Sequence, residues 1–237
     1  MRREQTAVLL IPAVAFIFRG GHKNIQAVRP KAKYTALGDS LAVGLLTFGN
    51  GYVNQYSKWL EHNGFPQGIE LTNLGTSGWK SRDVLKALQE DEFYRKAIQA
   101  ADILTLDVGG NDLLGSDFTT QGLRLAHGEY HRNLPVILAK IREFNPTAPF
   151  YIMDIYNPYP TGHPKRALAD VWLPLFNREI RSAASNTAFR VTGLAEVFAA
   201  FQGHEEEYTW IDEFGDIHPN SMGHHAIYQC FAAVTKH

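Results

Sequence analysis

From Lys33 onward, short runs of β-branched and apolar residues alternate with longer amphipathic stretches, the pattern of repeated βα units around a mostly parallel sheet. Five runs read as strands, at 34–37, 69–74, 103–108, 150–155 and 189–192. Such strands are buried on both faces and need not alternate polar with apolar residues. Between them, Val53, Tyr56, Trp59 and Leu60 share one helical face that Asn63-Gly64 ends, and Val84, Leu85 and Leu88 share another behind Ser81, the expected N-cap. Leu134, Ile137, Leu138 and Ile141 make a third stripe before Asn145-Pro146, and Pro135 is expected to kink that helix or mark its start. A closing helix is predicted over 221–234. The stretch 157–174, rich in proline and tyrosine, has no period and is expected to form a lid or wall facing the substrate.

The 237 residues are 45% apolar with no shift in composition after the first thirty or so, which predicts one α/β domain over 32–237. A net charge of −1, with Lys and Arg scattered among Asp and Glu, argues against nucleic acid and for a small or neutral partner. The single Cys230 excludes an internal disulfide and, lying in the stripe Ile227, Phe231 and Val234, reads as a small buried hydrophobe. Before the domain, Met1-Arg2-Arg3 leads into an apolar run at 7–18, short for a membrane span and suited to a signal-peptide core. Residues 1–31 are therefore read as a signal peptide or N-terminal membrane anchor, with a secreted or membrane-anchored extracellular protein of bacterial type as the expectation.

In an open parallel sheet, ligands bind outside the carboxyl ends of the strands. Ser40 follows the first predicted strand, Gly78 the second and Asn111 the third, while His218 precedes the closing helix. Taken alone, Gly38-Asp39-Ser40, Ser77-Gly78 and Gly109-Gly110-Asn111-Asp112 are ordinary turns or helix caps. Together with His218 they suggest a serine hydrolase, since a serine hydroxyl needs a base to take its proton and imidazole suits that task. No metal site is expected. His127 and His131 have i, i+4 spacing but lack the glutamate beside the first histidine that a zincin needs, and His224 and His225 point about 100° apart on a helix.

Gly38-Asp39-Ser40-Leu41, Ser77-Gly78, Gly109-Gly110-Asn111-Asp112 and Asp216-Ile217-His218-Pro219 match in order the four blocks of the SGNH hydrolase family, the GDSL esterases and lipases, and the chain resembles that family from 34 to 234. The resemblance implies a flavodoxin-like three-layer α/β/α sandwich on a five-stranded mostly parallel sheet, with no cofactor. It implies hydrolysis of small-molecule carboxylic esters through an acyl-enzyme, Ser40 being the nucleophile and His218 the general base. The oxyanion hole would be the backbone N–H groups of Ser40 and Gly78 with the side-chain amide of Asn111. Tyr156 and Asn157 resemble a stretch lining the cleft in bacterial relatives and are the candidate substrate-binding pair. One departure concerns the acid: the family commonly has Asp three residues before the histidine, where this chain has Gly215. Asp216, Asp212 and the Gly215 carbonyl are thus all candidates for orienting the imidazole, Asp216 first. Two other functions fit the pattern: carbohydrate O-deacetylation on the same fold and, from another class, a non-catalytic protein that holds a small ligand at strand-end turns.

Overall fold

The structure, a computed structural model, describes residues 30–235, so the segment read as a signal peptide or anchor lies almost wholly outside the described residues. The chain runs β1 (Ala32–Leu37), α1 (Ser40–Val43), α2 (Tyr52–Asn63), β2 (Ile69–Asn73), α3 (Ser81–Glu90), α4 (Glu92–Ala100), β3 (Ile103–Leu106), α5 (Gly110–Leu114) and α6 (Thr120–Phe144). It continues through β4 (Phe150–Met153), α7 (Arg166–Ser185), β5 (Gly193–Ala195), α8 (Val197–Phe201), α9 (Glu205–Tyr208), β6 (Thr209–Trp210), α10 (Ile211–Phe214), β7 (Asp216–Pro219) and α11 (Ser221–Val234).

Strands β2-β1-β3-β4-β5 pair in that order, every pair parallel. This is the flavodoxin-like order, whose direction of winding reverses between β1 and β3 and opens a crevice there. Because helices cover both faces, the strands carry apolar residues on both sides, as in the wholly buried β3 and β4. On one face Leu37, Leu104 and Phe150 pack against α3, α4, α6 and α7. On the other, Tyr34, Ile103 and Tyr151 meet α2, α8 and α11, where Phe231 stacks on Tyr52 at 5.4 Å and lies 5.6 Å from Tyr56.

The structure differs from the sequence reading at four places. The last sheet strand is 193–195 instead of 189–192, because buried Arg142 binds the carbonyls of Phe189 (2.9 Å) and Arg190 and holds those residues in a turn. Ser81 is the first residue of α3 with Lys80 as N-cap; its N–H (2.8 Å) and hydroxyl (2.5 Å) go to Asp112. Pro135 neither starts nor ends a helix: α6 begins under the cap of Thr119 and runs through it. Likewise α7 starts at Arg166 and continues past Pro174, so the irregular stretch shrinks to a short loop, 157–165, with Asn157 and Tyr159 buried. That loop is a wall packed against the domain, not a long lid. The hairpin β6–β7, with a bulge at Thr209/Trp210, is additional, and it carries the histidine loop.

Phe231→Ala should cost about 3–5 kcal/mol, the range for removing a buried aromatic side chain, since it empties the space between α2 and α11. Urea unfolding of the purified variant measures it; a loss under about 1 kcal/mol would mean that the ring stack contributes little.

Candidate active site

The loop after β1 carries the serine. Gly38 has to be glycine, because a Cβ there would lie 2.1 Å from an oxygen of the Asp107 carboxylate. Asp39 caps α1, its Oδ1 accepting the Leu41 N–H at 2.9 Å, and its own N–H donates to Asp107 Oδ1 at 2.8 Å. Ser40 is thereby set at the start of α1, 5% exposed, with its hydroxyl 2.9 Å from His218 Nε2. The second strand end docks on this loop through Thr76 N–H to the Gly38 carbonyl (3.0 Å), and Gly75 passes so close to Ala42 that a Cβ there would lie 2.7 Å from its methyl. The third block closes the set: Asn111 Nδ2 donates to Asp39 Oδ2 at 3.1 Å and to the Trp79 carbonyl at 3.0 Å.

His218 lies in β7, and Asp216 two residues earlier turns back on it. Its Oδ1 accepts both the His218 N–H (2.8 Å) and Nδ1–H (2.6 Å). The ring is thus fixed with Nε2 as the acceptor toward Ser40. Partial burial works against the Asp216 charge, but the hydrogen bonds from the His218 backbone and ring, with the ring's charge, outweigh it and hold the carboxyl below the usual carboxylate range. Of the three candidates, Asp216 makes the contact; Asp212 is exposed in α10, and Gly215 caps that turn with φ +66°.

Gly78 occupies an exposed left-handed turn at φ +82°, next to Trp79. Among the described residues, no carbonyl or side chain accepts the N–H of Gly78 or of Ser40. A cavity of about 210 Å³ opens from Ser40, Asn111 and His218 beyond the carboxyl ends of β1, β3 and β4, walled by Leu41, Leu113, Leu114, Ile155, Leu173 and Ile217. Tyr156 and Pro158 also line it, whereas Asn157 is turned into its own loop, bonding Asp170 Oδ1 (2.9 Å) and the Tyr159 N–H (3.0 Å). The Tyr156 hydroxyl donates to the Ile217 carbonyl at 2.9 Å, bracing the histidine loop.

Sequence reasoning passed over Asp107, whose only mark was an acid inside the apolar run 103–108. It also passed over Tyr52, whose hydroxyl bonds Asp107 Oδ2, and His224, wholly buried in α11 with Nδ1 accepting the Tyr52 N–H at 3.2 Å. His127 and His131 both meet Glu179 across α6 and α7, at 3.5 and 2.8 Å, and no cluster of metal-binding side chains exists among the described residues. Cys230 is half-buried, its thiol pushed up to about 11 by burial and then by the charges of Asp154 and Glu196.

Residues 36–226 match the model of the GDSL-like lipase/acylhydrolase family. The chain is 31% identical over 207 residues to the spore germination lipase LipC of Bacillus licheniformis, covering 82% of this chain and 92% of that one. It superposes on the lipase Lip_vut3 from a goat rumen metagenome with a TM-score of 0.73 at 29% identity, over 86% of this chain and 97% of the other. Axe2, an acetylxylan esterase from Geobacillus stearothermophilus, shares the fold at 18% identity with a TM-score of 0.63, over 86% of this chain and 93% of that one.

Burial, and then the nearby His218, lower the His224 pKa from the usual 6.5 to about 4. A histidine held neutral in the fold binds its proton more readily in the unfolded chain, so its contribution is full above pH 6.5 and is lost as pH falls toward 4. Across that window the wild type should lose up to about 3 kcal/mol more stability than His224→Gln. Denaturant titrations at stepped pH read the difference, and parallel curves for the two proteins would refute it.

Proposed function

Because the chain belongs to the GDSL-like lipase/acylhydrolase family and is a carboxylic ester hydrolase, we propose that it works through an acyl-enzyme on Ser40. The observation that carries this is the continuous relay from the Ser40 hydroxyl to His218 Nε2 (2.9 Å) and from Nδ1 to Asp216 (2.6 Å), at the mouth of an apolar cavity. As Ser40 Oγ bonds to the ester carbonyl carbon, its proton passes to His218, which returns it to the departing alcohol. Water then attacks the acyl-enzyme with His218 again as base and frees the acid and Ser40. Asp216 fixes the tautomer and stabilises the imidazolium between these transfers. The charge on the tetrahedral oxygen falls to the N–H groups of Ser40 and Gly78 and to the Asn111 amide, each donor accounting for about 2.7–4 kcal/mol of transition-state stabilisation.

The walls favour an acyl chain of several carbons. Burying each added methylene is worth about 0.8 kcal/mol, or roughly fourfold in kcat/KM while the cavity has room. An acetyl group would leave most of the leucine and isoleucine surface unfilled, so the cavity supports an esterase or lipase over a carbohydrate O-deacetylase. A non-catalytic binding protein would have no use for the relay.

Ser40→Ala should abolish turnover and labelling by a fluorophosphonate while the fold survives, since the cap of α1 is Asp39. More than a tenth of wild-type turnover would end the covalent mechanism. Asp216→Asn should lower kcat by orders of magnitude, the corresponding change in a serine protease triad having cost about 10⁴; a loss under about tenfold would leave the imidazole oriented by something else. With p-nitrophenyl esters from acetate upward, kcat/KM should climb about fourfold per methylene over the first few carbons. A profile highest at acetate would overturn the acyl-chain reading.

A further inference from the structure

Directly behind Ser40 lie two carboxyl groups, Asp39 and Asp107, only 4% and 1% exposed and within hydrogen-bonding reach of each other. No ion pair is made to either among the described residues. The groups facing them from neighbouring elements are Tyr34 of β1, Tyr52 of α2, Tyr94 of α4, Asp112 of α5, Tyr156 after β4 and, through Ser40, His218. Of these, only the imidazole can become a cation. Two dry carboxylates in contact, without a cation, do not both ionise, so the pair holds one proton.

The proton belongs on Asp39. Each carboxyl accepts two hydrogen bonds, but those to Asp107, from the Tyr52 hydroxyl in a short bond and from the Asp39 N–H at 2.8 Å, are shorter than those to Asp39, from the Leu41 N–H at 2.9 Å and the Asn111 amide at 3.1 Å, so Asp107 is the better anion. Burial raises Asp107 to about 6, these hydrogen bonds opposing it, whereas burial and then the Asp107 charge push Asp39 well above the usual carboxylate range. The location matters because of Asn111. Both of its amide hydrogens are committed, one to the Trp79 carbonyl and one to Asp39 Oδ2, so donation to an oxyanion requires release of the second. An anionic Asp39 would hold that hydrogen in a charge-assisted bond, about twice as strong as a neutral one, and would repel the oxyanion forming beside it.

We propose that Asp107 is a positioning residue that keeps Asp39 protonated, so that the Asn111 amide can turn from Asp39 to the developing oxyanion. This rests on the acyl-enzyme reading and on the oxyanion role of Asn111.

The test follows kcat and KM for p-nitrophenyl butyrate from acid to alkaline pH. With the Asp107 charge removed, Asp107→Asn should let Asp39 ionise at lower pH, moving the alkaline fall in kcat toward neutrality. At pH 8 the loss should be tenfold or more, up to the about 10²–10³ of a missing oxyanion donor, with KM little changed. Adding Asp39→Asn, which fixes that side chain neutral, should recover at least tenfold and remove the shifted limb. An unmoved limb in Asp107→Asn, or a double variant as slow as the single one, overturns the inference. The Asp39 carboxyl carbon of wild-type protein, followed by ¹³C NMR, needs no variant to fold: a protonated carboxyl at neutral pH supports the proposal and an ionised one refutes it. Asn111→Ala separates the two layers. Unchanged kcat there overturns the oxyanion reading itself, whereas a 10²–10³-fold loss beside an unmoved limb overturns only the part played by Asp107.

Discussion

The Asp107 carboxylate at the end of β3 stands where a side chain on Gly38 would have to go, and the geometry of the rim follows from that contact. It takes the Asp39 N–H, Asp39 takes Leu41 N–H and Asn111, and Asn111 reaches the Trp79 carbonyl, so the loops after β1, β2 and β3 are bonded in one chain. Three separate turns become one rigid surface. For acyl transfer this matters because donors held close to where charge develops need little reorganisation to meet it.

The same device recurs around the rim. Asp112, on α5, takes the backbone N–H and hydroxyl of Ser81, tying the loop after β3 to the helix that follows β2. Asp154, after β4, takes the Phe198 N–H (2.7 Å) at the start of α8 and pairs with Arg181 (2.9 Å), so the loops after β4 and β5 are joined as well. Burial raises all three acids to about 6, a cost the fold bears because loops packed over strand ends bring N–H groups that find no ladder partner. A short buried acid supplies two acceptor oxygens where a backbone carbonyl supplies one.

These acids explain what could be read in the chain. The strands β3 and β4 were legible because a strand covered on both faces is written as a mostly apolar run, and the rim residues Ser40, Gly78 and Asn111 followed from their positions after the first three predicted strands. The fifth run, 189–192, has β-branched residues at its end, yet Arg142 claims the carbonyls of Phe189 and Arg190 within it, a decision made 47 and 48 residues away. Pro135 as a helix start and the stretch to Pro174 as irregular misled in the same sense: both prolines sit inside long helices whose apolar faces are buried along most of their length, and packing outweighs the local penalty of about 3 kcal/mol. The spacing of Asp216 before His218 departs from the family's and left three candidates for the acid, with Asp216 first. It becomes sensible once β7 is seen, because a carboxylate two residues back can accept from the backbone N–H and the ring together.

The cavity shows the same economy of polar groups. Of the polar side chains lining it, Asp107 is occupied by Tyr52 and Asp39, Asp154 by Arg181 and Phe198, and the Tyr156 hydroxyl by the Ile217 carbonyl. A sugar hydroxyl drawn into it would lose water and find no partner, at about 1–3 kcal/mol for each group left unsatisfied, whereas a hydrocarbon chain loses nothing of the kind. The polar groups of the relay and the Asn111 amide lie at the mouth. On the acyl-chain reading proposed above, the hydrogen bonds set the division of labour: the acyl chain goes inward and the alcohol stays outside. On that reading the acid half of the ester is selected more strictly than the alcohol half.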